Sequence, residues 1–492
     1  MRYLYGLTIQ KIQSFIFETG KLKEIIGASY LVEDICTDRF KQFVGQAYNS
    51  ENSIVTAAGK VVYIFDDRID CERVVLSYLH SVLCEIPGLG VVQAVVEFEG
   101  DLLQENISLL ERRLEIQKSK PTVSHGAGLM ISERSRRTGG AGIVKEKGSE
   151  NRLDRKQSAK LRAEMENKGG LLRHLFDDGE KFNAHDNSNI ANLLSGRDKS
   201  WIAVVHADGN NLGRIIQSLS GSVNNNKLTE VLRTFSCELD KATKAAAKRA
   251  FQEVIRPLSG NEEKKQHIPI RPIILGGDDL TIIVRGDLAL GFTEAYLRYF
   301  ELFTQNLLAE VDLPNESKST LKNGLTSCAG IAYIKESYPL HYGIDLAESL
   351  CKHAKKIAKS EDNPRSCLSF HRVMSSFSED FNTIVERELT IAEDFTLAFG
   401  PYFLEKQTSG HESIKQLMRW AQTVNKQDAP KAQIRNWLTE LKENEGNAIQ
   451  LMNRIIALNG RYEKSLGLNP APSRRGSQMF THLYDVLTIS NI

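Results

Sequence analysis

The chain has 492 residues, of which 41% are hydrophobic, so it is long enough for three or four domains with ordinary buried cores. Its formal net charge of +1 means that any nucleic-acid surface must come from local clusters of basic residues. No apolar run is long enough to span a bilayer, residues 1–20 lack the apolar segment of a secretory signal, and the seven cysteines include no closely spaced pair. These features argue against a membrane protein, a disulfide framework and a zinc ribbon, and they favour a cytoplasmic location.

The N-terminal part, residues 1–118, has the pattern of a mixed domain of strands and helices. Alternating apolar residues predict strands over residues 2–9 and 90–99, and residues 13–44 are predicted to be largely helical. Residues 53–65 are predicted to form a hairpin around a central glycine. We therefore predict a first domain over residues 1–118.

A connector with many basic residues and glycines is predicted over residues 119–198. Its basic cluster consists of Arg134, Arg136, Arg137, Lys145, Lys147, Arg152, Arg155, Lys156, Lys160 and Arg162. One interpretation is a solvated loop between domains, and the other is a contact with RNA or with nucleotide phosphates. The connector also contains His185-Asp186, which matches the HD doublet of phosphohydrolases. Its polar surroundings and the lack of further metal-binding histidines nearby argue against a nuclease site.

An apolar run that begins at Trp201 predicts a buried strand, and Asp208 lies at its exit. His206, inside this strand, is predicted to be a hydrogen-bonded core residue. The next five residues are predicted to form a loop that opens a helix, whose backbone N–H groups can bind a triphosphate. These predicted nucleotide-binding residues are Gly209, Asn210, Asn211, Leu212 and Gly213.

Two apolar runs, residues 268–275 and 280–284, flank the sequence Gly276-Gly277-Asp278-Asp279. This arrangement predicts a β-hairpin whose tip carries two carboxylates, and the two glycines leave room for a bulky ligand to approach. Adjacent aspartates at the start of a strand are unfavourable unless a cation neutralises them. The hairpin therefore predicts a magnesium site, with Asp208 as a further ligand.

The elements over residues 199–375 follow the βαββαβ order of a ferredoxin-like domain, in which an antiparallel sheet is covered by helices on one face. After the first strand, a helix is predicted at 228–254, before the acidic hairpin. The hairpin is followed by a predicted helix at 288–308, a strand at 326–334, a helix at 343–359 and a strand at 366–371. Residues 376–492 then show helical apolar periodicity, with a loop predicted at 470–477 before a last short helix. We predict an α-helical C-terminal domain over residues 376–492.

In addition, the sequence resembles the large palm-domain subunit of type III CRISPR effector complexes, the cyclic-oligoadenylate synthetase family related to GGDEF cyclases and polymerase palms. The matching segments occur in the order of that family, at residues 12–16, 27–31, 206–211, 276–279, 327–332, 338–340 and 346–355. The Gly-Gly-Asp-Asp sequence alone would be weak evidence, whereas the ordered set is strong.

The resemblance implies an α+β fold with two ferredoxin-like palm or cyclase domains, the second of which is catalytic, followed by the helical domain. The counterpart of the acidic tip in the first domain is 57–60, which has no carboxylate, so we expect this palm to be catalytically degenerate. It could still hold a second nucleotide against the active palm.

The expected mechanism uses two Mg²⁺ or Mn²⁺ ions per active site, about 3.5–4 Å apart, and ATP as the substrate. Asp208, Asp278 and Asp279 are the predicted catalytic residues and, with Gly209, the predicted metal ligands. Gly276 and Gly277 are predicted to border the nucleotide. Since adjacent residues of a regular strand face opposite sides, Asp279 and Asp208 are expected to be the more critical pair.

Lys355 matches the family's lysine that contacts the triphosphate. The alternative is that Lys355, Lys356 and Lys359 simply solvate one face of a helix. From the residues alone, both interpretations stay open.

Three hypotheses for function follow. The first is a nucleotidyltransferase that makes a cyclic or linear oligoadenylate second messenger for antiviral defence. The second is an RNA-binding scaffold or nucleotide-sensing subunit with little or no catalysis. The third, a GTP-using GGDEF cyclase, is disfavoured because Asp279 replaces the usual Glu-Phe.

Two departures from the family concern its partners. Because the first palm is predicted to begin close to residue 1, we expect no HD nuclease domain, and the connector lacks the cysteine pairs that often bind zinc in that family. Guide or target RNA and other effector subunits are therefore possible partners, and a free-standing enzyme is an alternative.

Overall fold

The structure, a computed structural model, describes a mixed fold of sheets and helices. The described residues are 1–57, 59–120, 132–167, 170–177, 190–194, 201–216, 225–258, 268–309, 324–359, 364–374, 380–407 and 410–492. Within these ranges, no helix combines the length and the apolar character that crossing a membrane requires.

The first sheet is built around a central strand that is buried along most of its length. Its strands are β1 (Arg2–Gln10), β2 (Ser53–Ala57), β3 (Lys60–Phe65) and β4 (Gly90–Phe98), in the spatial order β2-β3-β1-β4. The helices of this region are α1 (Ile12–Ile16), α2 (Leu22–Cys36), α3 (Asp38–Val44), α4 (Arg68–Arg73), α5 (Leu79–Glu85) and α6 (Gln104–Ser119). All neighbouring strands are antiparallel. The strands and the hairpin predicted for this region are confirmed, and Gly59 adopts a φ of +91° at the hairpin turn.

The connector folds against the first domain. It contains β5 (Val144–Lys145), β6 (Arg152–Leu153), α7 (Arg155–Glu166) and α8 (Ile190–Leu193). Helix α7 approaches α2 so closely that a Cβ atom on Gly27 would lie 1.8 Å from the carbonyl oxygen of Lys160. Only glycine therefore allows this packing.

Acidic partners neutralise much of the basic cluster in the connector. Lys160 is fully buried, donates to the carbonyl of Phe15 (2.6 Å) and pairs with Glu18 (3.1 Å). Further ion pairs are Lys156–Glu18, Arg137–Glu24, Arg137–Glu146, Lys145–Glu150 and Arg152–Glu133. These contacts favour a structural role for the paired residues over a free surface for RNA phosphates.

The second sheet has its longest buried strand at the centre. Its strands are β7 (Trp201–Gly209), β8 (Ile270–Gly276), β9 (Asp279–Arg285), β10 (Ser327–Lys335) and β11 (Cys367–Arg372), in the order β11-β10-β7-β9-β8. The associated helices are α9 (Asn225–Ala250), α10 (Gly286–Ala309) and α11 (Leu340–Ala358). Strand β7 is antiparallel to both neighbours, and β11 is added parallel to β10. The first four strands therefore repeat the spatial order of the first sheet.

The C-terminal region is not purely helical, contrary to the prediction. Its elements are α12 (Phe381–Ile384), β12 (Thr390–Ala392), β13 (Phe395–Thr396), β14 (Tyr402–Phe403), α13 (Ile414–Val424), α14 (Lys431–Glu443), α15 (Glu445–Leu458), α16 (Gly460–Leu466), β15 (Ser473–Arg475), β16 (Gln478–Phe480) and α17 (Leu483–Ser490). Strand β14 joins the second sheet beside β11, and the other four form a small sheet. The segment 470–477, predicted to be a loop, contains β15. A strand of three residues is too short to show an alternation of apolar and polar residues in the sequence, so it was not predicted.

Helix α9 connects the two sheets. Near its N-terminal end, Leu228 and Leu232 lie in one apolar cluster with residues of the first sheet, and Arg233 donates to the carbonyl of Glu51 (2.9 Å). Its later turns pack against α10. A second connection runs from Ser29 of α2, whose hydroxyl donates to the carbonyl of Ile273 in β8. The predicted boundaries at 118, 198 and 375 stay a prediction.

Candidate metal and nucleotide site

The acidic hairpin has the predicted tight tip. Strands β8 and β9 pair up to Gly276 and Asp279, which leaves Gly277 and Asp278 as the two turn residues. Gly277 has a φ of +62°, a conformation that glycine adopts without strain. The assumption that Asp278 and Asp279 face opposite sides of a regular strand is wrong, because Asp278 lies in the turn and only Asp279 belongs to β9.

Strand β7 brings the third carboxylate to this tip. Asp208 is the register partner of Cys328 in β10, and Ala207 is the partner of Leu280 in β9. One carboxylate oxygen from each of Asp208, Asp278 and Asp279 lies within 4.8 Å of the others. The structure therefore brings the three predicted residues together. No other group of three or more His, Cys, Asp or Glu side chains in the described ranges meets this spacing.

The negative charges of the three carboxylates repel one another. Burial and the neighbouring Asp208 raise the pKa of Asp278 to about 6. Burial in the cleft, followed by the charges of Asp278 and Asp208, raises the pKa of Asp279 to about 8. Asp279 still keeps solvent-exposed surface, as expected for a residue that lines an open cleft. The carboxylate oxygens of the three aspartates are hard ligands, and their negative charges are unfavourable here unless a cation is bound. The site therefore fits Mg²⁺ or Mn²⁺.

Gly209 allows the hairpin tip to approach β7. A Cβ atom at this position would lie 3.0 Å from Cβ of Asp278 and 3.1 Å from its Oδ2. The backbone carbonyl of Gly209, a predicted metal ligand, accepts a hydrogen bond from Nζ of Lys355 (2.8 Å). A side chain at position 209 would therefore push Asp278 away by a few tenths of an ångström.

Replacing Gly209 by Ala is expected to weaken Mn²⁺ binding about tenfold, because the new methyl group displaces Asp278 from the other two carboxylates. Titration calorimetry with Mn²⁺ in the absence of nucleotide measures this effect. Gly213→Ala is the matched control, since a Cβ atom there meets nothing within 4 Å. Equal Mn²⁺ affinities for the two variants would contradict the packing argument.

Lys355 lies in the site rather than on a solvated helix face. It forms an ion pair with Oδ2 of Asp208, and its side chain is only 16% exposed. Lys356 and Lys359 of the same region are exposed. Lys355 thus supplies a positive charge beside the carboxylates, and its contact with a triphosphate stays a prediction.

The predicted phosphate-binding loop is partly occupied by internal hydrogen bonds. The N–H of Asn210 donates to the carbonyl of Thr326 (2.8 Å), and its side-chain amide donates to Oγ1 of Thr326 (3.0 Å). The backbone N–H of Asn210 is therefore not free for a phosphate. Asn211 has a φ of +58° at the start of the helical residues 212–216, which include Leu212 and Gly213.

Several residues near the site were not predicted from the sequence. Asp240 and Thr243 of α9 hydrogen-bond to the backbone of Gly277. Tyr296 of α10 is fully buried, its hydroxyl has no hydrogen-bond partner among the described residues, and burial followed by the three carboxylates raises its pKa. No motif marks these residues, because their roles depend on contacts between distant segments.

His206 is the core residue that was predicted. It is 9% exposed, and its Nδ1 lies 3.0 Å from Oγ1 of Thr281 in β9. Burial lowers its pKa to about 4, so it is neutral at physiological pH. The doublet His185-Asp186 lies outside the described residues, as does Ala58 of the first hairpin's tip.

A cavity of about 270 Å³ lies between the first domain and the acidic hairpin. Its lining includes Lys11 and Gln13 from the first domain and Ile274, Gly276 and Asp279 from the hairpin region. The cavity therefore borders Asp279 and is lined by residues of both parts of the chain.

Comparison with known proteins identifies the second sheet region. Residues 201–363 match the family model of Cas10/Cmr2, second palm domain. No curated protein sequence matches the chain.

Solved structures match nearly the whole chain. A Csm1–Csm4 cassette in complex with pppApApA has a TM-score of 0.54 and 13% identity, covering 99% of this chain and 69% of that chain. The cassette with AMPPNP has a TM-score of 0.53 and 13% identity, covering 99% and 70%. Csm1 from T. onnurineus has a TM-score of 0.54 and 15% identity, covering 99% and 69%. The predicted resemblance is confirmed: the chain contains a second palm domain of the Cas10/Cmr2 family within the palm-domain fold of Csm1 from type III CRISPR complexes.

Proposed function

We propose that the chain is a metal-dependent nucleotidyltransferase that joins ATP molecules into cyclic or linear oligoadenylate in type III CRISPR-like antiviral defence. The convergence of Asp208, Asp278 and Asp279 in a Cas10/Cmr2-type palm is the observation that carries this proposal. It is supported by related structures in complex with AMPPNP, pppApApA and cA4. A cytoplasmic location is part of the proposal.

The three carboxylates and the carbonyl of Gly209 are the groups that would hold Mg²⁺ or Mn²⁺, two ions per site. Bound ions of this kind make a ribose 3′-hydroxyl a better nucleophile and neutralise charge on the reacting phosphates. The chain's own contribution is to hold oxygen ligands on two adjacent strands and a hairpin turn, so that their relative positions are fixed before ligands bind.

Lys355 is the cationic group of this site. It neutralises Asp208 through their ion pair. Nζ of Lys355 also donates to the carbonyl of Gly209 (2.8 Å), so the ammonium group would be within reach of a phosphate bound at the Gly209 loop. The lysine would then hold the triphosphate in place without taking a proton.

The second nucleotide of this reaction is proposed to lie in the cavity between the two sheets. The volume of the cavity, about 270 Å³, is close to the lower end of the volumes of ligand pockets. Lys11 and Gln13 offer polar contacts from the first domain. The repeated strand order supports a duplicated ferredoxin-like domain, of which the first copy lacks carboxylates at its tip. One chain could thus supply both nucleotide sites.

Replacing Lys355 by Ala is expected to raise the KM for ATP about tenfold, because a charge-assisted contact with the triphosphate is lost. Mn²⁺ binding without nucleotide should not weaken, since the substitution removes a cation that competes for Asp208. Initial rates over a range of ATP concentrations and a Mn²⁺ titration measure the two effects. Lys356→Ala on the same helix is the control, and an unchanged KM for Lys355→Ala would contradict the assignment.

The deciding experiment is incubation of purified protein with Mg²⁺ or Mn²⁺ and each nucleoside triphosphate, with and without RNA, followed by mass spectrometry. We expect an oligoadenylate from ATP that is absent in the Asp278→Ala/Asp279→Ala variant. The second candidate is a subunit of a larger complex that senses nucleotide or binds RNA without catalysis, and the related Csm1 was crystallised with a partner, Csm4. Nucleotide or RNA binding without product, also after adding a Csm4-type partner, would support that candidate.

A further inference from the structure

The turn that carries Asp278 is held from outside the hairpin, at Gly277. The N–H of Gly277 donates to Oδ1 of Asp240 (3.1 Å), and Oγ1 of Thr243 donates to the carbonyl oxygen of Gly277 (2.6 Å). Asp240 and Thr243 are three residues apart on α9 and therefore share one face of this helix. Both backbone polar groups of a single turn residue are thus bound by one rigid element.

This contact continues into the first domain. Lys244, the next residue of α9, pairs with Oδ2 of Asp240 (2.8 Å) and lies 4.0 Å from Oε1 of Glu33. Glu33 belongs to α2, its side chain is 8% exposed, and its Oε1 also lies 3.1 Å from Nε2 of His174. A continuous set of polar contacts therefore joins the first domain to the turn.

The hairpin by itself leaves the turn residue Gly277 conformational freedom. Gly277 has no side chain, and its φ of +62° belongs to one of several conformations open to glycine. The two bonds from α9 select one of them. Because ligand geometry must be held within about 0.5 Å at such sites, the position of Gly277 decides whether Asp278 reaches the other carboxylates.

We propose that Asp240 and Thr243 are positioning residues for Asp278, and that the Lys244–Glu33 contact makes the turn depend on how the first domain is seated. The effect on product formation rests on the function proposed above, whereas the effect on the metal site does not. The first domain then acts on the active palm through the metal-binding turn as well as by lining the cavity.

The first test is Thr243→Val, which keeps the side-chain shape and removes the donor. Mn²⁺ affinity without nucleotide is expected to fall about tenfold, as is typical when a residue that orients a metal ligand is lost. Hydrogen exchange of peptides that cover residues 275–281 should become faster, also without metal. Thr243→Ser should restore both values, and Thr293→Val, which removes another buried hydroxyl in α10, should change neither.

The second test separates the turn contact from the domain contact. Asp240→Asn keeps an acceptor oxygen for Gly277 but loses the charge that binds Lys244. Glu33→Gln weakens the contact between Lys244 and the first domain and changes no residue that contacts the turn. Both are expected to weaken Mn²⁺ binding about threefold, a smaller effect than that of Thr243→Val. Unfolding temperatures measured in parallel confirm that each variant is folded.

Unchanged Mn²⁺ affinity and hydrogen exchange in Thr243→Val would overturn the positioning role of Asp240 and Thr243. Unchanged affinity in Glu33→Gln would overturn the dependence on the first domain. If the wild type binds Mn²⁺ and the variants change this affinity as expected, but the wild type makes no product, the proposed function is refuted and this inference still stands. If Thr243→Val fails to fold, hydrogen exchange of Asp240→Asn supplies the deciding measurement.

Discussion

Replacing Asp278 by Asn is expected to lower the rate of product formation at least on the order of a thousandfold while raising the unfolding temperature by a few degrees. The rate falls because an amide cannot supply the negative charge that binds the catalytic cations. The stability gain follows from the raised pKa of about 6 in the folded protein. A carboxyl group with a raised folded pKa loses stabilisation as the pH rises through that value, so at pH 8 the wild type carries a penalty that Asn lacks.

Product assays by mass spectrometry and thermal unfolding at pH 8 without metal ions measure both effects. Asp287→Asn is the control, because Asp287 lies just beyond the opposite end of β9, pairs with Arg285 (2.6 Å) and belongs to the first turn of α10. This variant should keep its activity and become slightly less stable, since an acidic group near a helix N-terminus is favourable. An active Asp278→Asn protein, or one with a lowered unfolding temperature, would contradict the assignment.

Metal binding is expected to strengthen steeply between pH 6 and pH 8. At pH 6, Asp279 with a pKa of about 8 is almost fully protonated and Asp278 with a pKa of about 6 is half protonated. A cation must displace these protons, so its apparent affinity rises with pH until both groups are ionised. The apparent Kd for Mg²⁺ should fall between tenfold and a hundredfold, on the order given by proton competition at one group with a pKa near 8.

Titration calorimetry in buffers with different ionisation enthalpies measures both the Kd and the number of protons released on binding. Roughly one proton should be released at pH 7, mainly from Asp279. The Asp279→Asn variant should bind the cation more weakly at pH 8 but with less dependence on pH. An affinity that is the same at pH 6 and pH 8 would show that the carboxylates are already ionised in the free protein.

The sequence was most informative where a pattern is local. The hairpin tip, the strand that ends at Asp208 and the long helices were predictable because alternation, glycine positions and helical periodicity extend over enough residues. The convergence of Asp208 with the hairpin carboxylates was predicted from its position at the exit of a buried strand. The role of His206 as a hydrogen-bonded core residue was predicted from its apolar neighbours.

Contacts between distant segments were not predictable. Asp240 lies 37 residues from Gly277, and nothing in the helical pattern of α9 distinguishes it from a surface residue. The basic connector has the composition of a nucleic-acid surface, yet several of its basic residues pair with carboxylates such as Glu18 and Glu24, which belong to another part of the chain. The internal hydrogen bonds of Asn210 likewise depend on Thr326, which the sequence alone does not bring near.

The position of α9 determines how far the part of the chain that contains the second sheet could stand alone. A fragment that begins at residue 199 would expose Leu228 and Leu232 to water, since both are buried against the first sheet. Exposed leucines of this kind promote aggregation in a separately expressed piece. Conversely, if the intact protein is cut at residue 199, the two pieces should stay bound through α9. The apolar surface that they share would then hold them together without a continuous chain.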